Sequence, residues 1–277
     1  MTAMRPPLTA LYVPGDRPDR VAKALTAGAD IVIVDLEDAV APSHKAEARS
    51  ALAGLLAAEA PDAPRVQVRV NVRGSAWHDD DLAAVATLPA EIDVRLPKVT
   101  SPADVESVRA ALPGRGVHAL IESALGVERA FEIASAGVAG VALGEADLRS
   151  QLGLGAGDEG LAWIRSRLVT ASAAADLPAP MMSVYADVRD RDGLAASCAA
   201  GRTLGMLGRT AIHPAQLAVI EAAFLPSADQ VERARQIVER VGTALADDTG
   251  TVVLEDGTFL DVAMVEAARR VLLLAEH

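Results

Sequence analysis

The chain has 277 residues, 51% of them apolar and only 3% aromatic, and a formal charge of −12 at pH 7. That size and apolar content exclude overall disorder, and the acidic balance excludes a general nucleic-acid-binding role, which needs a basic face. A single cysteine, Cys198, excludes an intrachain disulfide. With no apolar run long enough for a membrane span and no signal core in MTAMRPPLTA, a soluble cytoplasmic protein is expected.

Leu8–Val13 reads as a first strand, closed by the turn residues Pro14-Gly15-Asp16. Pro18 suits the first turn of a helix with Val21, Ala24 and Leu25 on its apolar face and Gly28 as its stop. Next comes IVIVDLEDAV, Ile31–Val40, where four β-branched residues run into Asp35, Glu37 and Asp38. An unbroken Ile/Val run predicts a parallel strand buried on both faces. Unpaired buried carboxylates are costly, so the three acids belong at the strand's C-terminal exit. Ser43 opens a second helix, and Val66–Asn71 is a third strand bringing Arg69 and Asn71 to its exit. A helix about Leu82–Leu88 and a strand Ile92–Val99, ending in Pro97-Lys98, follow.

Ser101-Pro102 starts a helix reaching about Leu112. Val117–Ile121 is a fifth strand that delivers Glu122, and Ala139–Leu143 is a sixth, followed by Gly144-Glu145-Ala146-Asp147-Leu148. After a glycine-rich loop and a helix to about Ala175, Pro180–Tyr185 is read as strand seven. A helix holding Leu194–Leu204 leads to Thr210–Ile212 as strand eight, before His213-Pro214. Eight strands alternating with helices predict an α/β fold, a (β/α)8 TIM barrel over 1–225, with an open doubly wound sheet as the competitor. Residues 226–277 read as a C-terminal helix–hairpin–helix appendix. Ser227 and Gln230 resemble a capping box, and Asp256-Gly257 is a type I′ hairpin signal.

In a barrel, Asp35, Glu37, Asp38, Arg69, Asn71, Lys98, Glu122 and Asp147 converge on one mouth. Several carboxylates without a His/Cys cluster favour a hard, oxygen-binding cation, Mg²⁺ above all. Arg69 is placed to clamp a substrate carboxylate through a bidentate pair. A 2-hydroxy or 2-oxo acid chelated to the metal suits that set. The plain alternative gives Asp35, Glu37 and Asp38 to ion pairs with Lys45, Arg49 or Arg73. His213 reads as a turn and cap residue, and Cys198 as a small packing residue.

The stretches LYVPGDRPDRVAKAL, DIVIVDLEDAV with HKAEAR, VRVN, RLPKV, IESALGV, GEADL, VYADVRD and AIHPAQL span nearly the whole chain. In that order they resemble the citrate lyase β-subunit-like proteins of the HpcH/HpaI aldolase family. The resemblance implies a TIM barrel, Mg²⁺, and carbon–carbon bond cleavage or formation beside a thioester. Glu122 and Asp147 match its metal ligands and Arg69 its substrate and enolate contact, with Asp38 and Glu37 supporting the metal's water shell. Asp261 matches a late acid that serves the active site of a neighbouring subunit, in a homotrimer or hexamer. The activity implied is that of an acyl-CoA lyase on a malyl-, citramalyl- or similar 3-hydroxyacyl-CoA, giving a 2-oxo acid and a short acyl-CoA. The alternatives are the citrate lyase β subunit, which works with an acyl-carrier protein, and a non-catalytic thioester-binding or assembly protein. The chain departs from the pattern at Ala263, where a Pro is usual, at Met182, where an Asp is usual, and in the order of GEADL. The last two suggest a changed substrate pocket or thioester contact.

Overall fold

The computed structural model describes residues 6–56, 64–155, 157–246, 252–253, 259–260 and 262–276. Residues 7–224 form one compact unit. Its elements in chain order are β1 (Thr9–Pro14), α1 (Pro18–Ala24), β2 (Ile31–Asp35), α2 (Lys45–Leu56), β3 (Arg65–Arg69) and α3 (His78–Ala86). Then come β4 (Asp93–Leu96), α4 (Pro102–Ala111), β5 (Val117–Ile121), α5 (Ala124–Glu128), α6 (Ala130–Ala134) and β6 (Gly140–Leu143). The unit ends with α7 (Glu145–Leu152), α8 (Glu159–Ala174), α9 (Arg191–Thr203), β7 (Arg209–Ala211) and α10 (Leu217–Phe224).

All seven strands are parallel, in the order β6-β5-β4-β3-β2-β1-β7, so each neighbour is reached by a helical crossover. β2 is buried at every residue, which is what its unbroken Ile/Val run requires of a strand covered on both faces. The register sets Pro14, Asp35, Arg69 and Arg95 side by side across β1 to β4. Neighbouring positions in a parallel ladder point the same way, so this row is presented to one face.

Strand seven of the sequence reading is not a strand. Within Pro180–Tyr185 only Met182 bridges in parallel fashion, to Arg209. Its N–H donates to the Gly208 carbonyl at 2.9 Å, and its carbonyl accepts from the Thr210 N–H at 3.0 Å. Pro178 and Pro180 carry no N–H, which limits any ladder at the start of this segment. Among the described residues no ladder joins it to β6; the Glu145 N–H reaches the Ser183 hydroxyl at 3.4 Å instead. The expected strand eight is β7, shifted back to Arg209–Ala211. Three helices, α5, α6 and α7, were not anticipated: each is eight residues or shorter and sits in what read as a connecting loop.

The second unit holds α11 (Ala228–Ala246), β8 (Val252–Val253), β9 (Phe259–Leu260) and α12 (Val262–Ala275). β8 and β9 pair antiparallel, and α11 packs on α12 through Ala234, Ile237, Val241, Val265 and Ala268. The capping box is present, with the Ser227 hydroxyl accepting from the Gln230 N–H and the Gln230 side chain accepting from the Ser227 N–H. The Asp256-Gly257 turn, Asp261 and Ala263's side chain lie outside what the structure describes. No described helix is long and apolar enough to cross a membrane.

Candidate active site

A cavity of about 360 Å³ opens at the C-terminal ends of the strands. It is lined from β1 by Tyr12, from β2 and its exit by Asp35 and Asp38, and from β3 and β4 by Arg69 and Arg95. Leu120 and Glu122 line it from β5, Gly144, Glu145 and Asp147 from the β6 exit, and Ser183 and Thr210 complete the wall. Residues more than 170 positions apart thus meet in one place, because every parallel strand delivers its exit to the same end of the sheet.

The site is built around Arg69. Its Nε and Nη2 donate to the two oxygens of Asp35 at 2.8 and 2.6 Å, a bidentate pair between adjacent strands. Its Nη1 lies 3.0 Å from Glu37 Oε2 and 3.8 Å from Asp38 Oδ2. Burial alone would lower the Arg69 pKa, but the Asp35 hydrogen bonds and charge outweigh it and hold the guanidinium firmly protonated. Asp35 also accepts from the N–H groups of Glu37 and Ala39 at 2.8 and 3.2 Å, shaping the turn that carries both acids. Asp35 is therefore a positioning residue. The same holds for Asn71, whose amide bonds the Leu36 carbonyl and Asp81 while Lys45 donates to its oxygen. Lys45 also caps the carbonyls of Leu36 and Glu37 at 2.9 and 2.8 Å. The alternative partners considered for the β2 acids go elsewhere: Arg49 pairs with Asp80 and Asp81, and Arg73 with Asp104.

Glu37 is almost fully buried, and burial pushes its pKa up against the opposing pull of Arg69. Lys98 takes a left-handed backbone conformation, φ 52°, rare for a residue with a side chain. Its N–H donates to Glu122 Oε2 at 3.1 Å, and its ammonium lies 3.2 Å from Glu37, 4.0 Å from Asp38 and 3.9 Å from Asp147. Burial would lower the Lys98 pKa, but Glu37 foremost, with Asp38 and Glu122, raises it.

Glu122 and Asp147 have no guanidinium partner among the described residues. Burial raises the Glu122 pKa to about 7, with the neighbouring charges of Glu37 and Asp147 adding to the effect. A methyl group on Gly144 would collide with the Glu122 carboxylate, so this glycine makes the room that Glu122 occupies. A carboxylate held among carboxylates in a cavity is a place for a cation. Among the described residues no three His, Cys, Asp or Glu side chains close on one point. Two carboxylates without a closed cage suit Mg²⁺, which keeps several waters and leaves positions for substrate oxygens. The residues present fit that ion.

Behind the mouth lies a second charged group. Arg165, 1% exposed, forks onto both oxygens of Glu145 at 2.7 and 2.8 Å and also pairs with Asp158 at 3.0 Å. This pair ties the first residue of α7, and so the helix bearing Asp147, to α8. Met182 is fully buried, does not line the cavity, and packs on Gly201 with its sulfur 3.3 Å from Arg209 Nη2. The expectation that Met182 reshapes the substrate pocket is thus corrected: the side chain faces the helix layer. His213 accepts from the Ala215 N–H and caps a short turn, and Cys198 is a buried packing residue of α9, both as expected. Tyr12, Arg95, Glu145 and Thr210 are cavity residues that the sequence reading passed over. Arg95 was legible in part, since Asp93 and Arg95 alternate with Val94 and Leu96 and so share a face.

Fold and site together define a parallel-stranded α/β protein with an acidic, arginine-furnished mouth suited to metal-assisted chemistry on small organic acids. The HpcH/HpaI aldolase/citrate lyase family model matches residues 8–214, and the chain belongs to that family. It is 35% identical over 272 residues to a (3S)-malyl-CoA thioesterase of Cereibacter sphaeroides, covering 97% of this chain and 94% of that protein. It is 33% identical to the citrate lyase subunit beta of Escherichia coli, covering 96% and 92%. Among solved structures, CitE of Mycobacterium tuberculosis in complex with magnesium, acetoacetate and coenzyme A superposes with a TM-score of 0.82 at 33% identity, over 98% of each chain. The citrate lyase beta subunit of the same organism, complexed with oxaloacetate and magnesium, gives 0.69 at 34% identity, over 79% of this chain and 97% of that one.

Proposed function

We propose that this chain is a Mg²⁺-dependent carbon–carbon lyase. It splits a 3-hydroxyacyl thioester of the malyl-, citramalyl- or citryl-CoA kind into a 2-oxo acid and a shorter acyl thioester. The observation that carries this reading is Glu122 and Asp147, unpaired by guanidinium, in a cavity whose wall also presents Arg69. Relatives crystallised with magnesium together with coenzyme A or an oxo acid support it.

Glu122 and Asp147 hold the metal, with Glu37 and Asp38 supporting its water shell. Bound there, Mg²⁺ supplies a Lewis-acidic pole for the oxygens of a 2-oxo or 2-hydroxy acid. Asp35 fixes the Arg69 guanidinium at the cavity wall, where its charge opposes the negative charge that develops on the reacting oxygens. Glu37, made more basic by burial, is suited to take the substrate hydroxyl proton. As the carbon–carbon bond breaks, the hydroxyl carbon becomes the 2-oxo carbonyl and the electron pair leaves on the thioester enolate. Asp261 protonates that enolate carbon, from a neighbouring subunit. In this reading residues 1–225 are a (β/α)8 barrel whose remaining stave is the segment around Met182, and 226–277 pack on a neighbour in a homotrimer or hexamer. The eight chain segments lining one cavity support the barrel.

A second reading, hydrolysis of the same thioester, is favoured by the 35% identity to the malyl-CoA thioesterase. Product analysis separates the two. The purified protein is incubated with malyl-, citramalyl- and citryl-CoA, with Mg²⁺ or with EDTA, and the products are resolved by mass spectrometry. The lyase gives a 2-oxo acid and an acyl-CoA only with metal; the thioesterase gives the hydroxy acid and free CoA. Turnover only on an acyl-carrier-protein thioester makes it a citrate lyase β subunit, and binding without turnover a non-catalytic thioester-binding protein.

A further inference from the structure

The cavity contains two guanidinium groups, and they are unequally engaged. Arg69 has spent the Nε–Nη2 edge on Asp35, and its remaining nitrogen, Nη1, stands 3.0 Å from Glu37 Oε2 as an ion pair without a hydrogen bond. With that edge taken, Arg69 cannot present it as a fork to a substrate carboxylate. Arg95, its neighbour across the β3–β4 ladder, is 4% exposed and lines the same cavity. Its one hydrogen bond among the described residues is from Nε to the Gln67 amide oxygen at 3.0 Å, and it has no ion pair there. Its other contact is the Tyr12 ring, 6.0 Å from ring centre to Cζ, with Arg69 at 5.0 Å from the same ring. The cation is therefore buried without a counter-ion, while both Nη groups keep their donors.

A buried, unpaired guanidinium is costly to keep, and its planar fork matches one ligand shape above others, a carboxylate. From this we infer that Arg95 receives a second carboxylate of the substrate, so that the 2-oxo acid handled at this site is dicarboxylic. This rests on the lyase reading above, in which the carboxylate beside the reacting carbonyl belongs to the Glu122–Asp147 end of the cavity. The distal carboxylate then lies on Arg95, with Tyr12 as the apolar wall between the two guanidiniums. Gln67 holds Nε so that the Nη edge faces the cavity. A 3-hydroxyacyl thioester with two free carboxylates satisfies both ends; one with a single carboxylate leaves Arg95 unpaired.

The test is calorimetric titration of the full chain with Mg²⁺, comparing freshly dissolved oxaloacetate with pyruvate. These share the reacting end and differ by the distal carboxylate. Wild type is expected to prefer oxaloacetate by about tenfold or more, the scale of one charge-assisted contact. In Arg95→Gln that ratio falls toward one. If the Gln variant does not fold, Arg95→Lys, which keeps the cation over Tyr12 and loses the fork, is expected to lose part of the ratio. Equal affinity of wild type for the two acids overturns the inference, as does a folded variant that retains the full ratio. Failure of wild type to bind either acid in a Mg²⁺-dependent way strikes the lyase reading itself. Binding of both without preference strikes only the role of Arg95.

Discussion

Glu122→Gln is expected to make the metal-free protein more stable while removing one of the two proposed Mg²⁺ ligands. The side chain is 7% exposed, and its pKa stands at about 7 against an ordinary 4.5, because burial and the charges of Glu37 and Asp147 disfavour the ionised form. Below pH 4.5 the group is protonated in both folded and unfolded chains and contributes nothing. Between 4.5 and about 7 the folded protein keeps the proton and the unfolded chain loses it, so stability falls as pH rises through that window. Above pH 7 the cost is complete, on the order of 3 kcal/mol if nothing relaxes. The Gln amide keeps an oxygen for the Lys98 N–H and never carries the charge. Water in the cavity and side-chain movement reduce the difference, so a gain of about 1–3 kcal/mol at pH 8 is expected, shrinking toward zero near pH 4.5. Urea denaturation in EDTA, followed by the fluorescence of Trp77 and Trp163, reads this directly, since both lie in the α/β unit. Adding Mg²⁺ reverses the order, because only wild type gains from the ion. A Gln variant no more stable than wild type at pH 8, or equally more stable at pH 5, refutes the argument.

Arg69→Lys keeps the charge but loses the two-point contact with Asp35, and kcat/KM on the preferred thioester is expected to fall about 100-fold or more; near-normal kinetics assign Arg69 a structural role only. Gly144→Ala places a methyl group where the Glu122 carboxylate sits. It is expected to weaken Mg²⁺ binding at least tenfold, the scale seen when a ligand's support is disturbed, with calorimetry as the check. For the shared site, Asp261→Asn and Glu122→Gln subunits, each inactive alone, are mixed and reassembled. Regained activity is expected, and a mixed oligomer confirmed by mass without activity removes Asp261 from the neighbour's site.

The sequence displayed the site better than it displayed the sheet. The acids at the exits of β2, β5 and β6 follow apolar runs, so their convergence was readable once the strands were taken as parallel. What each acid does was not readable, because Asp35, Glu37 and Asp38 look alike in the chain and differ only in partners. Asp35 faces Arg69 squarely, Glu37 is buried between Arg69 and Lys98, and Asp38 is largely solvent-exposed. The segment around Met182 looked like any other apolar strand. Its ladder is a property of long-range pairing, which proline-limited N–H groups and a side-chain contact from Ser183 replace. Arg95 went unnoticed because a charge inside a strand reads as an outward-facing residue until the ladder shows it beside Arg69.

The central claim, that Glu122 and Asp147 hold the metal at which the substrate acid is bound, is tested most directly by a crystal structure grown with Mg²⁺ and pyruvate. The expected density is one ion about 2.1 Å from a carboxylate oxygen of each residue, its other positions filled by water and pyruvate oxygens. An ion elsewhere in the cavity, or pyruvate bound with neither carboxylate in contact with metal, contradicts it.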